Sequence, residues 1–123
     1  MLKRVLNVGQ CGPDHHSIST FLKRHFDVEV AAVDSQEEAL QAVQDESFDL
    51  VLLNRIFDAT GTEGMETLRQ LKSDTATSEI PVMLVSNFAD AQEAAVAEGA
   101  LPGFGKSALD SPDTRDRLQN LLS

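Results

Sequence analysis

Several polar side chains stand where apolar runs stop. Leu50 to Leu53 runs into Asn54, the run "IPVML" and Val85 ends at Ser86, and a short stretch around Phe104 is followed by Lys106. Val5 to Val8 is followed by Gly9 and Gln10. In open α/β sheets, ligands bind beyond the carboxyl ends of the strands, so such residues would meet at one edge. A carboxylate at position 54 would be a nucleophile. The carboxamide is not, because its nitrogen lone pair is delocalised into the carbonyl and its oxygen carries only partial charge.

Other groups near that edge have plainer explanations. Asp14 is most simply a first-turn acid of a helix, and Asp58 a turn former, although either is close enough in sequence to hold a cation as a substitute carboxylate. Lys106 is a solvated surface lysine, or it bonds Asn54, pairs with Asp58 or holds an anion. Ser86 can equally satisfy local backbone. Cys11, His15 and His16 are of zinc-binding type, but a structural zinc needs four ligands and there is no second cysteine. Gly61 and Gly64 bracket a loop without phosphate-binding spacing, and "GALPGFG" lacks the dinucleotide pattern. No metal or cofactor is expected.

Alternating elements must position these residues. Val5–Val8, Val28–Val33, Asp49–Leu53, 80–86 and a short stretch at Phe104 read as strands. Helical patterns separate them. The first carries Ile18, Phe21, Leu22 and Phe26 on one face. The second opens at Ser35 with Glu38 three residues on, a capping box, and has Leu40 and Val43 as its buried stripe. The third repeats Met65, Leu68 and Leu71. The fourth, alanine-rich, closes at Gly99. The last is capped by Ser111 with Pro112 at N1, and Leu118, Leu121 and Leu122 form its apolar face. Five βα units with continuous apolar strands predict an α/β fold, a doubly wound five-stranded parallel sheet, (βα)5, in a single domain over 1–123.

The chain has 123 residues, a formal net charge of −10 and a pI near 4.5. That field repels phosphate backbones and argues against nucleic acid as a partner. No apolar stretch is long enough to cross a bilayer and no signal-type h-region is present, so a cytoplasmic protein away from membranes is expected. One cysteine excludes an internal disulfide.

In order and spacing, "RVLNV", "DSQEEALQAV", "FDLVLLN", "GMETLRQLK", "IPVMLVS" and "EGALPGFGKS" resemble the receiver domain of two-component response regulators, over essentially the whole chain. The resemblance implies a flavodoxin-like strand order, 2-1-3-4-5. It implies an acidic, Mg²⁺-binding pair at Gly9 and Gln10, a phosphoacceptor at Asn54, the hydroxyl at Ser86, the lysine at Lys106, and an aromatic position at Gly103 next to Phe104. Here the acidic pair and the phosphoacceptor are degenerate while Ser86 and Lys106 are retained. Ser107 stands where a proline is usual, and the loop from Asn54 to Gly64 is about two residues longer than family spacing.

Phosphoryl transfer needs an oxygen nucleophile and a cation clamp, and Mg²⁺ is usually anchored by one or two carboxylates. Gly9, Gln10 and Asn54 supply none of these. The sequence therefore reads as an atypical pseudo-receiver: not an enzyme, independent of phosphorylation, acting in signal transduction through protein–protein contacts. The resemblance places those contacts on the fourth helix, fifth strand and fifth helix, and allows a homodimer there. The alternative is a small-molecule or anion-sensing domain that reuses the former phosphorylation pocket at Asn54, Ser86 and Lys106. Asn54→Asp is expected to be tolerated, with Lys106 as counter-charge.

Overall fold

The computed structural model describes residues 2–123. Strands β1 (Lys3–Val8), β2 (Val28–Val33), β3 (Leu50–Asn54), β4 (Val82–Val85) and β5 (Leu101–Phe104) pair in parallel in the order β2-β1-β3-β4-β5. Helices α1 (Gly12–His25), α2 (Gln36–Asp45), α3 (Gly64–Ser73), α4 (Ala89–Ala97) and α5 (Pro112–Leu122) alternate with them. This is the expected α/β architecture and strand order.

Strand side chains alternate between two apolar layers, as the two-residue period requires. Leu6, Val8, Val51, Leu53, Val82 and Leu84 pack with Leu68, Leu71 and Ala95. Val5, Leu50, Leu52, Met83, Val85 and Phe104 pack on the other face with Ile18, Phe21, Leu22, Leu118 and Leu122. α1 and α5 therefore cover one face, and α2, α3 and α4 the other. Each fully buried leucine removes roughly 1.5–3 kcal/mol of apolar surface from water. That covering on both faces is what makes the strands read as unbroken apolar runs.

Helix signals operate largely as written. Ser35 Oγ accepts from Glu38 N at 3.1 Å, and Glu38 Oε1 accepts from Asp34 N at 3.2 Å, so the reciprocal bond falls one residue before the cap. Ser111 Oγ accepts from Thr114 N, and Gly99 takes a φ of +106° just past α4.

Three expectations are corrected. β3 runs Leu50–Asn54 rather than Asp49–Leu53: Asp49 N donates to Arg4 O at 2.8 Å, but the Arg4 N–H goes to the Asp49 carboxylate at 2.8 Å in place of a strand carbonyl. In α2 the fully buried residue is Ala39, while Leu40 and Val43 are half-buried along a hollow facing α3. Phe26 and Met65 are likewise only partly covered.

α4 has a small apolar footing. Among its side chains only Ala95 is fully buried, with Ala91 partly so. Apolar burial scales with area, and alanine offers little of it.

Candidate functional site

The carboxyl ends of β1, β3 and β4 and the turn after β5 bring the expected residues to one edge. Asn54 is half-buried as the last residue of β3, in register with Val85, immediately before Ser86. A cleft of about 280 Å³ is lined by Asn54, Arg55, Ser86, Asn87, Phe88 and Lys106, among others. The trio of Asn54, Ser86 and Lys106 thus shares one opening.

The β1 and β3 side of this edge is closed. Asn54 Nδ2 donates to Gly9 O at 2.9 Å, and Asp58 N donates to the same carbonyl at 2.9 Å. The residues after β3 fold back on themselves, with an antiparallel bridge between Ile56 and Glu63 and a bond from Phe57 N to Thr62 O at 2.8 Å. That turn drives Phe57 into the interior, where it is fully buried. A Cβ on Gly9 would lie 2.2 Å from Phe57 Cδ1, and Gly9 also holds a φ of +77°. Gly9 is thus fixed as glycine by both its backbone and its neighbour. The loop after β3 and the glycine at position 9 pack as one unit. Gly64 belongs to it too, since a Cβ there would meet Asn54 O.

Gln10 is buried, and neither of its amide atoms has a hydrogen-bond partner. Asn7 Oδ1 is in the same condition, while Asn7 Nδ2 lies 3.0 Å from His15 Nδ1. Cys11 is the N-cap of α1 and gives no side-chain cap bond, and His16 is exposed. Among the described residues no group of three His, Cys, Asp or Glu side chains is placed to hold a metal ion. Gln10, Asn54 and Ser86 offer neutral oxygens rather than the anchoring carboxylate that Mg²⁺ favours.

Lys106 corrects an expectation. It reaches neither Asn54 nor Asp58. Its Nζ donates to Asp14 Oδ2 at 2.7 Å, joining the turn after β5 to the first turn of α1. The Lys106 bond, and next the Cys11 thiol, hold the Asp14 carboxyl below its ordinary range against a smaller opposing effect of partial burial. Asp14 is both the first-turn acid that sequence suggested and the lysine's partner. Ser86 Oγ accepts from Phe88 N at 3.1 Å, the plain strand-end role. Asp58 keeps its carboxylate exposed in the turn. At the mouth of the cleft the Arg55 guanidinium lies 5.0 Å from the Phe88 ring centroid. Sequence reasoning did not single out Phe57, Arg55 or Phe88. Only the extra loop length pointed toward the first.

At the aromatic position, Gly103 is buried and a Cβ would lie 2.1 Å from Leu84 O. The neighbouring Phe104 is packed in the α1 and α5 layer. No described helix is long and apolar enough to cross a membrane.

The sequence model described as "Response regulator receiver domain" matches residues 14–103. The match stops short of Gly9 and Gln10 on one side and Lys106 on the other. The chain is similar in structure to the signal receiver domain of the DNA-binding response regulator merR from Colwellia psychrerythraea 34H. Identity is 22%, coverage is 97% of each chain and the TM-score is 0.81. It is similar to the chemotaxis response regulator CheY4 of Vibrio cholerae at 19% identity, covering 99% of this chain and 100% of that one, with a TM-score of 0.76. NtrX from Brucella abortus is similar at 22% identity and a TM-score of 0.74 over 98% of this chain, which spans only 25% of the NtrX chain. At these identities the likeness speaks for the fold. No curated protein sequence matches significantly.

Proposed function

The chain belongs to the response regulator receiver domain family, and from that premise we propose that it signals without phosphorylation, as a non-catalytic pseudo-receiver working through protein contacts. Receivers are signalling domains that generally act on partner proteins. The observation that carries the reading is the closed side of the edge. The residue at the phosphoacceptor position donates its amide to Gly9 O at 2.9 Å. The position where a metal-binding acid would stand is a glycine against the Phe57 ring. Neither a nucleophile nor a cation clamp has room there.

The same observations disfavour anion sensing. Lys106 is already neutralised by Asp14, and Asn54 commits one of its two amide N–H donors to Gly9 O. We place the partner surface on α4, β5 and α5, where Val96 and Leu101 are exposed beside a largely apolar hollow of about 490 Å³. A second copy of the chain is one such partner. Residues 1–123 act as one unit in the cytoplasm in this reading.

Incubation with acetyl phosphate and Mg²⁺, followed by intact-mass measurement, tests the proposal. No stable gain of a phosphoryl group is expected. A stoichiometric gain at any aspartate would overturn it.

A further inference from the structure

A single side chain from α4 is inserted into the backbone of the sheet. Gln92 Nε2 donates to Leu84 O at 2.8 Å and to Ser86 O at 3.2 Å, and Gln92 Oε1 accepts from Gly103 N at 3.0 Å. These bonds lie where the β4–β5 register shifts between Met83 and Val85, so the amide serves backbone groups that the irregular ladder leaves free. The carbonyl of the same residue is held from α5. Arg117 Nη1 donates to Gly103 O at 2.5 Å. Gly103 must be glycine for this arrangement, because a Cβ would lie 2.1 Å from Leu84 O and 3.0 Å from Gln92 Oε1.

α4 lies close on β4 and β5 but has little apolar side chain to hold it there. Ala95 is its one fully buried side chain, and its other inward residue is Ala91. A helix with so small an apolar footing relies on its polar bonds for position. The Gln92 amide makes more bonds to the sheet than any other α4 side chain.

We propose that Gln92 is the fastener of α4: through Gly103 and Leu84 it fixes the helix on β4 and β5, and so sets the geometry in which Val96 and Leu101 are presented. Because Gln92 also bonds Ser86 O, it is the direct mechanical link between the cleft at Asn54 and this face. The inference rests on these bonds and holds whether or not the chain can be phosphorylated.

Hydrogen exchange by mass spectrometry on the intact protein tests it. Gln92→Met keeps the length and removes the bonds. Gln92→Asn keeps the amide but withdraws it by one methylene. In both, exchange in peptides covering 89–105 is expected to rise about tenfold, the ratio that a loss of about 1.4 kcal/mol of local protection gives, with α1 to α3 unchanged. Glu93→Gln, on the same helix, should leave every segment alone. Uniform acceleration over the whole chain would make Gln92 a general packing residue and overturn the proposal. So would unchanged protection at 89–105, or failure of both variants to fold.

Discussion

At the ends of β1 and β3 the molecule is closed by backbone carbonyls and an aromatic ring. At the ends of β4 and β5 it is open and charged. Both halves lie on the same edge of the same sheet. On the first side Asn54, Gly9, Asp58 N and Phe57 satisfy or cover one another. On the second, Ser86, Arg55, Phe88 and Lys106 border a cleft, and Lys106 finds its counter-ion across the gap in α1. The two halves follow from the groups that line them. Where the remaining groups are neutral the chain packs the space, because close packing recovers dispersion contacts. Where a lysine lines the edge, the cleft stays open, because an ammonium is costly to bury.

The most forceful way to break this comparison is Gly9→Asp. It asks a side chain to adopt a left-handed φ and to displace Phe57, and the two together should cost about 3–5 kcal/mol in urea unfolding. Combined with Phe57→Ala, the loss should fall well below the sum of the singles, since the clash is then gone. A Gly9→Asp protein within about 1 kcal/mol of the parent would show that the closed side is not closed.

Next in size is Asn54→Asp. The carboxylate loses the donor to Gly9 O and sets oxygen against oxygen, which should cost about 1–3 kcal/mol at neutral pH. Lys106 offers no rescue while Asp14 holds it, so the tolerance anticipated from sequence is withdrawn. The loss should shrink at acid pH, where the protonated group can donate again. A loss independent of pH would place the fault elsewhere.

Gln10→Met sharpens the comparison from the other direction. Two buried, unpaired amide atoms are replaced by an apolar side chain of similar length. The protein should be unchanged or more stable by about 1 kcal/mol, read as a higher urea midpoint at constant slope. A clear loss would mean that Gln10 is bonded through water.

Asp14→Asn should be the mildest, below about 1 kcal/mol, since the side chains of the pair retain 33% and 36% exposure. The folded pKa of Asp14 is depressed, by Lys106 first. Its contribution is therefore complete above the ordinary aspartate value of 3.8 and disappears as the pH falls through the lower folded value. The variant should differ from the parent at neutral pH and converge with it in acid. Divergence that grows toward low pH would contradict the pairing.

The sequence made local features plain and distant ones obscure, for physical reasons. Ser35 with Glu38, Ser111 with Pro112, and Gly99 act within one helical turn, so neighbouring letters carry the whole signal. The apolar runs at Leu50 and Val82 disclose strands because both faces are covered. Ala39 in place of Leu40 and Val43 was not legible, since the depth of α2 depends on how closely it approaches the sheet. Asn54, Ser86 and Lys106 fell on a common edge through the order of the strands. The Asp14 partner of Lys106 lies 92 residues away, and no local pattern announces it. Phe57 reads as an ordinary loop aromatic until the bridge from Ile56 to Glu63 turns it inward. Gln92 was equally silent: "DAQEAAVA" reads as an alanine-rich helix, and nothing local in it marks one amide as a bond to the sheet.

The strand order also bears on how the chain is made. Translation delivers β1 first, yet β1 lies inside the sheet, between β2 and β3. Once residue 54 has emerged, both neighbours of β1 exist and half of the sheet can assemble on the nascent chain. β4 and β5 then add outward in the order of their synthesis, each to an edge already present. The Asn54 bond to Gly9 lies wholly within the first three strands and their connections, whereas the Lys106 bond to Asp14 must await the turn after β5. The closed side of the edge can thus be finished before the open side has left the ribosome.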